Sequence, residues 1–86
     1  MFKYKEELSN KLFNEYLDKD LSIFLAGSIE MSFTIHKAKF LINDYRIIIT
    51  DSKKEEIIIK VDEIIGIKLE NCIVIDLGNQ QIIIDY

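Results

Sequence analysis

The side chains best suited to nucleophilic chemistry are His36 and Cys72, the one histidine and the one cysteine of the chain. A nucleophile needs an adjacent base and a third group that holds the base in place. No motif of that kind surrounds either residue, so we expect a strand-surface histidine and a small, inert thiol. We therefore predict that the protein is not an enzyme.

Metal and phosphate binding need residue sets that the sequence does not supply. Zinc takes four His, Cys or carboxylate ligands in close array, and one residue of each soft type is present. The stretch Asp51–Glu56 lacks the glycine and the ligand spacing of a calcium loop, and is predicted to be a solvated loop. The glycines are isolated and none begins a helix, so there is no phosphate cradle. We expect no metal and no cofactor.

Carboxylates are concentrated in the last third of the chain, where Val61–Tyr86 carries five acidic residues and one basic residue. Two acids on the same strand face can raise one another's pKa and act as acid and base, but keeping an exposed face soluble is the simpler role. A group of carboxylates could also compete with phosphate for a basic groove, as a phage-encoded inhibitor of a host defence enzyme would. The candidate partner-binding residues are Asp62, Glu63, Glu70, Asp76 and Asp85.

The middle of the chain, His36–Lys60, is net basic, with six basic and four acidic residues. Basic and aromatic side chains on a small barrel are a common means of holding single-stranded nucleic acid. The formal charge of the whole chain is −4, however, and repels phosphate backbones. Nucleic-acid binding is therefore the alternative prediction, with candidate residues Lys37, Lys39, Phe40, Tyr45 and Arg46.

An amphipathic helix is predicted from about residue 2 to residue 18, because apolar residues recur there at every fourth position. They are Tyr4, Leu8, Leu12 and Tyr16. A row of alternating charges runs beside them at i,i+4 spacing, which stabilises an exposed helical face. Its members are Lys3, Glu7, Lys11, Glu15 and Lys19.

From about residue 21 the apolar period changes to two, which predicts six or seven short antiparallel strands over residues 21–86. A strand over 21–26 precedes a turn at Gly27-Ser28, and Ile29–Ile35 alternates as a half-buried strand. Residues 40–50 form either two strands or one strand with a bulge. Residues 61–69 are predicted to be a turn that runs into a strand.

Two hairpins are predicted. Ile47–Ile49 and Ile57–Ile59 flank the charged stretch after residue 50. Gly78-Asn79 suits a type II′ turn between the last two strands, which places Ile75 opposite Ile82 and gives that hairpin one wholly apolar face.

These elements predict one α+β domain over residues 1–86, in which the N-terminal helix precedes a strongly bent antiparallel sheet or small barrel. Consecutive isoleucines point to opposite faces, so both faces of the triplet strands need cover, from the sheet itself or from a second subunit. The arrangement resembles that of Sm-like proteins, which implies RNA binding, although Ile59-Lys60-Val61-Asp62 lacks their arginine-glycine signature. It also resembles pleckstrin-homology-like domains, although Ile82–Tyr86 ends the chain as a strand.

We predict a non-catalytic small acidic binding protein that acts through protein–protein interaction, as a regulator, inhibitor or assembly subunit. A homodimer or higher oligomer is expected, because the C-terminal strand is predicted at a sheet edge where it could pair with another chain. No signal peptide and no apolar run of ~20 residues is seen, which indicates a cytoplasmic protein without a membrane span. The alternative is an Sm-like RNA or single-stranded nucleic-acid binder.

Overall fold

The computed structural model describes all residues from 1 to 86. A short N-terminal helix is followed by eight antiparallel strands, with one 3₁₀ turn between the fifth and sixth strands. The elements are α1 (Lys5–Lys11), β1 (Leu21–Gly27), β2 (Met31–Ile35), β3 (Lys39–Ile42), β4 (Arg46–Thr50), β5 (Glu56–Lys60), the 3₁₀ turn (Val61–Glu63), β6 (Gly66–Leu69), β7 (Ile73–Asp76) and β8 (Gln80–Asp85).

The helix lies where the apolar spacing predicted it, but it is shorter at both ends. α1 continues into a π-helical turn over Leu12–Tyr16, after which Leu17 is extended. Its buried row, Leu8, Leu12 and Tyr16, has the predicted spacing. The helix begins only after Tyr4, whose φ of −97° and ψ of 6° are not helical. At the other end, Asp18 with φ 62° cannot continue a right-handed helix.

The strands form two antiparallel sheets that do not close into a barrel, so the predicted strongly bent antiparallel sheet is confirmed in part. The five-stranded sheet has the order β2-β1-β8-β7-β6, and the three-stranded sheet has the order β3-β4-β5. The chain crosses between them after β2, where Lys37 has φ 50°, and after β5, at the 3₁₀ turn. Both crossings interrupt the ladder, which leaves the barrel open. The chain has eight strands, one more than the largest number predicted.

The C-terminal hairpin has the predicted register, since Ile73 faces Ile84 and Ile75 faces Ile82. Gly78 has φ 92°, as the first central residue of a type II′ turn requires. The expected edge position of the last strand is wrong. β8 pairs along its other side with β1, so it is central in the five-stranded sheet.

The isoleucine triplets form the predicted hairpin β4–β5, in which Ile48 faces Ile58. The loop that joins these strands is not wholly solvated, because Asp51 is buried. Its carboxylate accepts hydrogen bonds from the backbone N–H groups of His36 (2.8 Å) and Lys53 (2.7 Å). These bonds hold the pKa of Asp51 below its usual 3.8.

The inner faces of both sheets and the helix build one hydrophobic core of fifteen buried residues. The helical segment contacts both halves of the fold. Lys11 Nζ donates to the carbonyl of Glu70, in the loop after β6, at 3.2 Å, and the ring of Phe13 in the π-helical turn packs edge to face on Phe40 of β3. Because the helix and the inner faces bury one another, the outer face of each sheet is left uncovered.

Candidate binding surface

The outer face of the three-stranded sheet carries a continuous apolar row. Leu41 on β3, Ile48 on β4 and Ile58 on β5 lie side by side in register. Leu41 is 52% exposed and Ile58 is 50% exposed. The flanking residues of each isoleucine triplet lie on the inner face, where all but the half-buried Ile57 are buried, so the middle residue must point outward.

Charged residues flank this row on the same face, toward the two ends of the strands. Arg46 and Lys60 face each other at one end, and Thr50 faces Glu56 at the other end. We call the apolar row with these flanking residues the open face (Leu41, Arg46, Ile48, Glu56, Ile58 and Lys60). Lys39 faces Thr50 on the same side of the sheet, so the end with Glu56 carries charges of both signs, whereas the end with Arg46 and Lys60 is basic.

A groove of about 660 Å³ adjoins the basic end of the open face. Arg46 and Lys60 line it together with the N-terminal residues and the segment after the 3₁₀ turn. Tyr45 and Ile65 stand at its rim, 79% and 67% exposed. Asp44 fixes the N-terminal wall, since its Oδ1 accepts a hydrogen bond from the Phe2 N–H at 3.4 Å.

The outer face of the five-stranded sheet also carries an apolar row of three residues. Phe24 on β1, Ile83 on β8 and Val74 on β7 lie in register. Phe24 is 41% exposed, and the other two are half-buried. The row ends at Ser32 on one side and Lys68 on the other, so it does not cross the whole sheet.

The structure does not gather the five acidic candidates into one site. Asp62 and Glu63 lie in the 3₁₀ turn, and Glu70 lies in the loop between β6 and β7. Asp76 and Asp85 share the outer face of the C-terminal hairpin. Asp76 faces Gln81, however, which is four residues before Asp85, a separation of about 13 Å along the strand.

The basic candidates are divided between the two ends of the β3–β4 hairpin. Lys37 and Lys39 lie at one end, where Lys39 forms an ion pair with Asp18. Tyr45 and Arg46 lie at the other end, on the groove. Phe40 packs on Phe13, with ring centroids 6.0 Å apart. Because Phe40 lies on the inner face of the sheet, it is not part of a surface that could bind nucleic acid.

The histidine and the cysteine have ordinary surroundings. His36 Nδ1 lies 3.6 Å from Asp20 Oδ1 at the surface, and Cys72 is a half-buried free thiol just before β7. No three His, Cys, Asp or Glu side chains converge in a way that could hold a metal ion.

Sequence reasoning identified the two triplets but not the open face as a site. The signal was the uninterrupted isoleucine run, which places side chains on both faces of a strand. Only the strand order shows that Leu41 completes the row. Comparison with known protein families, curated proteins and solved structures found no match. None of the helical segments is long and apolar enough to cross a membrane.

Proposed function

We propose that this chain is a non-catalytic binding protein that acts by docking a protein partner on the open face. The observation that carries the proposal is the apolar row Leu41–Ile48–Ile58, which crosses all three strands and in which Leu41 and Ile58 are half exposed and Ile48 is half-buried. An aligned apolar row with charged ends is the usual composition of a docking surface, with a dry centre and a polar rim.

The row offers enough apolar area to contribute to binding but not to dominate it. Covering each half-exposed Leu or Ile gains about 1 kcal/mol, so the charged ends must add orientation and specificity. The pair Arg46 and Lys60 favours a partner with a carboxylate at that end. A regulator, an inhibitor or an assembly subunit could each use such a surface.

The carboxylates of the C-terminal third support a separate version of the same function. With a net charge of −4, the chain would be attracted to a basic partner, as a phage-encoded inhibitor of a host enzyme would be. Because the five acids lie apart, this attraction would act on association rates rather than through one contact site. Reversing Asp76 and Asp85 to lysine would slow binding in that case and leave dissociation unchanged.

A photo-crosslinking amino acid placed at Leu41 tests the open face directly. We expect it to give one defined protein adduct in cells that express the chain, identifiable by mass spectrometry and reproducible with the purified pair. The same group at Ser22, exposed on the outer face of the five-stranded sheet, is the matched control. Equal adducts from both positions, or none, would contradict the proposal.

Nucleic-acid binding at the groove is the second candidate, favoured by Tyr45, which is 79% exposed beside Arg46. A stacked base on the tyrosine ring and a phosphate between Arg46 and Lys60 would fit this arrangement. Labelled RNA and single-stranded DNA should then bind with an affinity that falls as salt rises, and Tyr45→Ala should weaken it. Absence of binding at low salt would exclude this function.

A further inference from the structure

One edge of the three-stranded sheet carries a sequence that is complementary to itself. β5 reads Glu56-Ile57-Ile58-Ile59-Lys60 and lies at the end of the order β3-β4-β5, so no strand is hydrogen-bonded to one side of it. Its first residues, Glu56 and Ile57, share a groove with residues 33–35 of β2. Run antiparallel to a copy of itself, it places Glu56 opposite Lys60 and Ile58 opposite Ile58. Neither Glu56 nor Lys60 forms an ion pair within the chain.

The backbone of β5 is in the right phase for that pairing. The N–H groups of Val61 and Asp51 donate to the carbonyls of Tyr45 and Glu55, which makes residues 55, 57, 59 and 61 the ones bonded to β4. Antiparallel strands alternate, so Glu56, Ile58 and Lys60 direct their N–H and C=O groups away from β4, toward the free edge. None of the hydrogen bonds in turns, loops and caps uses those groups.

We infer that β5 pairs antiparallel with β5 of a second copy of this chain, about a two-fold axis at Ile58, to form a continuous six-stranded sheet. The inference goes beyond the proposed function, because the second copy pairs along the edge of β5 and leaves the open face free for another protein partner. Ile58 exchanges two hydrogen bonds with its counterpart, and each Glu56 exchanges two with the opposite Lys60. Six backbone hydrogen bonds and two Glu–Lys pairs result.

The same pairing extends the open face. The row Leu41–Ile48–Ile58 continues across the two-fold axis into the second copy, which doubles its length. The half-buried Ile57 gains the opposite Ile59 as a neighbour on the inner side. The interface is isologous, so it closes as a dimer and does not propagate into a fibre.

The other three edges lack this complementarity. β2 (Met31–Ile35) has no charged residue, and β6 (Gly66–Leu69) has only Lys68. Lys39 of β3 already forms an ion pair with Asp18. Of the four edge strands, only β5 carries two opposite charges that lie symmetrically about its centre and form no ion pair within the chain. Such charges, when paired across two strands, fix the register of the strands and the choice of partner.

A charge swap tests the inference by sedimentation equilibrium across a concentration series. Glu56→Lys and Lys60→Glu each set like charges opposite one another twice in the dimer, so each should weaken dimerisation about tenfold or more. The double variant E56K/K60E restores both pairs and should return to near wild-type affinity. Glu30→Lys and Lys68→Glu make the same charge changes away from β5 and should leave the dimer intact.

Three outcomes would overturn the inference: a wild-type chain that stays monomeric up to about 1 mM, single variants that dimerise like the wild type, or a double variant that stays as weak as the singles. Ile58→Pro is a second probe, because it removes an outward N–H that β4 does not use, and it should abolish the dimer while circular dichroism shows the fold retained. A monomer that still gives the Leu41-specific adduct to another protein would refute the dimer and leave the proposed function standing.

Discussion

Replacing Tyr16 by phenylalanine should stabilise the protein. The side chain is 1% exposed, and its hydroxyl has no hydrogen-bond partner. A buried unpaired hydroxyl costs about 1 to 3 kcal/mol, whereas the ring contact with Tyr86, at 4.7 Å between centroids, survives the substitution. We therefore expect Tyr16→Phe to raise the free energy of unfolding by about 1 kcal/mol, and the melting temperature by about 4 to 8 °C for a domain of this size.

The same hydroxyl predicts a difference at high pH. Burial, followed by the nearby Asp85 carboxylate, raises the pKa of Tyr16 from 10.0 to about 12. Because the folded state holds the proton more tightly than the unfolded chain, the stability contributed by the neutral phenol is complete below pH 10 and is lost as the pH rises toward about 12. The advantage of the phenylalanine variant should therefore grow above pH 10.

Urea unfolding of the wild type and Tyr16→Phe, followed by far-UV circular dichroism at pH 7 and pH 11, measures both effects. Tyr45→Phe is the matched control, because that ring is 79% exposed and its change should stay within about 0.5 kcal/mol. A Tyr16→Phe variant that is less stable than the wild type at pH 7 would show that the hydroxyl is hydrogen-bonded in the fold, and would refute the reasoning.

Two other substitutions test the packing of the turns. Gly27→Ala should destabilise the fold by about 2 to 4 kcal/mol in thermal unfolding, because φ is 143° and the new Cβ would lie 2.4 Å from the carbonyl oxygen of Asn79. Gly66→Ala is the control, since the space around Gly66 is open and the change in stability should stay within about 0.5 kcal/mol. Similar melting temperatures for the two variants would contradict this prediction. Asp51→Asn should lower stability at pH 7, and its difference from the wild type should shrink as the pH falls below the usual carboxyl pKa of 3.8, because the lowered pKa of Asp51 stabilises the fold only while the carboxylate is ionised. A difference that is constant from pH 7 to pH 2 would contradict that role.

The helix and the hairpins could be predicted from the sequence because their signals are local. The four-residue spacing of Leu8, Leu12 and Tyr16 fixed the buried face of the helix, and Gly78 fixed the register of the last hairpin. The sequence left open whether residues 40–50 form two strands or one bulged strand. The structure shows two, separated by a turn in which Asn43 Oδ1 accepts the N–H groups of Tyr45 and Arg46.

The sheet order depends on long-range pairing, which local patterns do not specify. β1 lies between β2 and β8, and this one arrangement moves the C-terminal strand from the expected edge to the centre. Likewise, the isoleucine triplets required cover on both faces, but nothing local indicated that the helix would bury the inner face and leave Leu41, Ile48 and Ile58 open. The two candidate residue sets failed to converge for the same reason, because each spans segments that the strand order separates.

Amide hydrogen exchange of β5 at low and high protein concentration tests the central claim most directly. Ile57 and Ile59 donate to β4, so their amides should exchange slowly at both concentrations. If two copies pair through this edge, the amides of Glu56, Ile58 and Lys60 should exchange rapidly in dilute solution and slowly in concentrated solution, with the charge-swapped single variants losing that protection. Amides of these three residues that exchange at the same fast rate at every concentration would contradict the account.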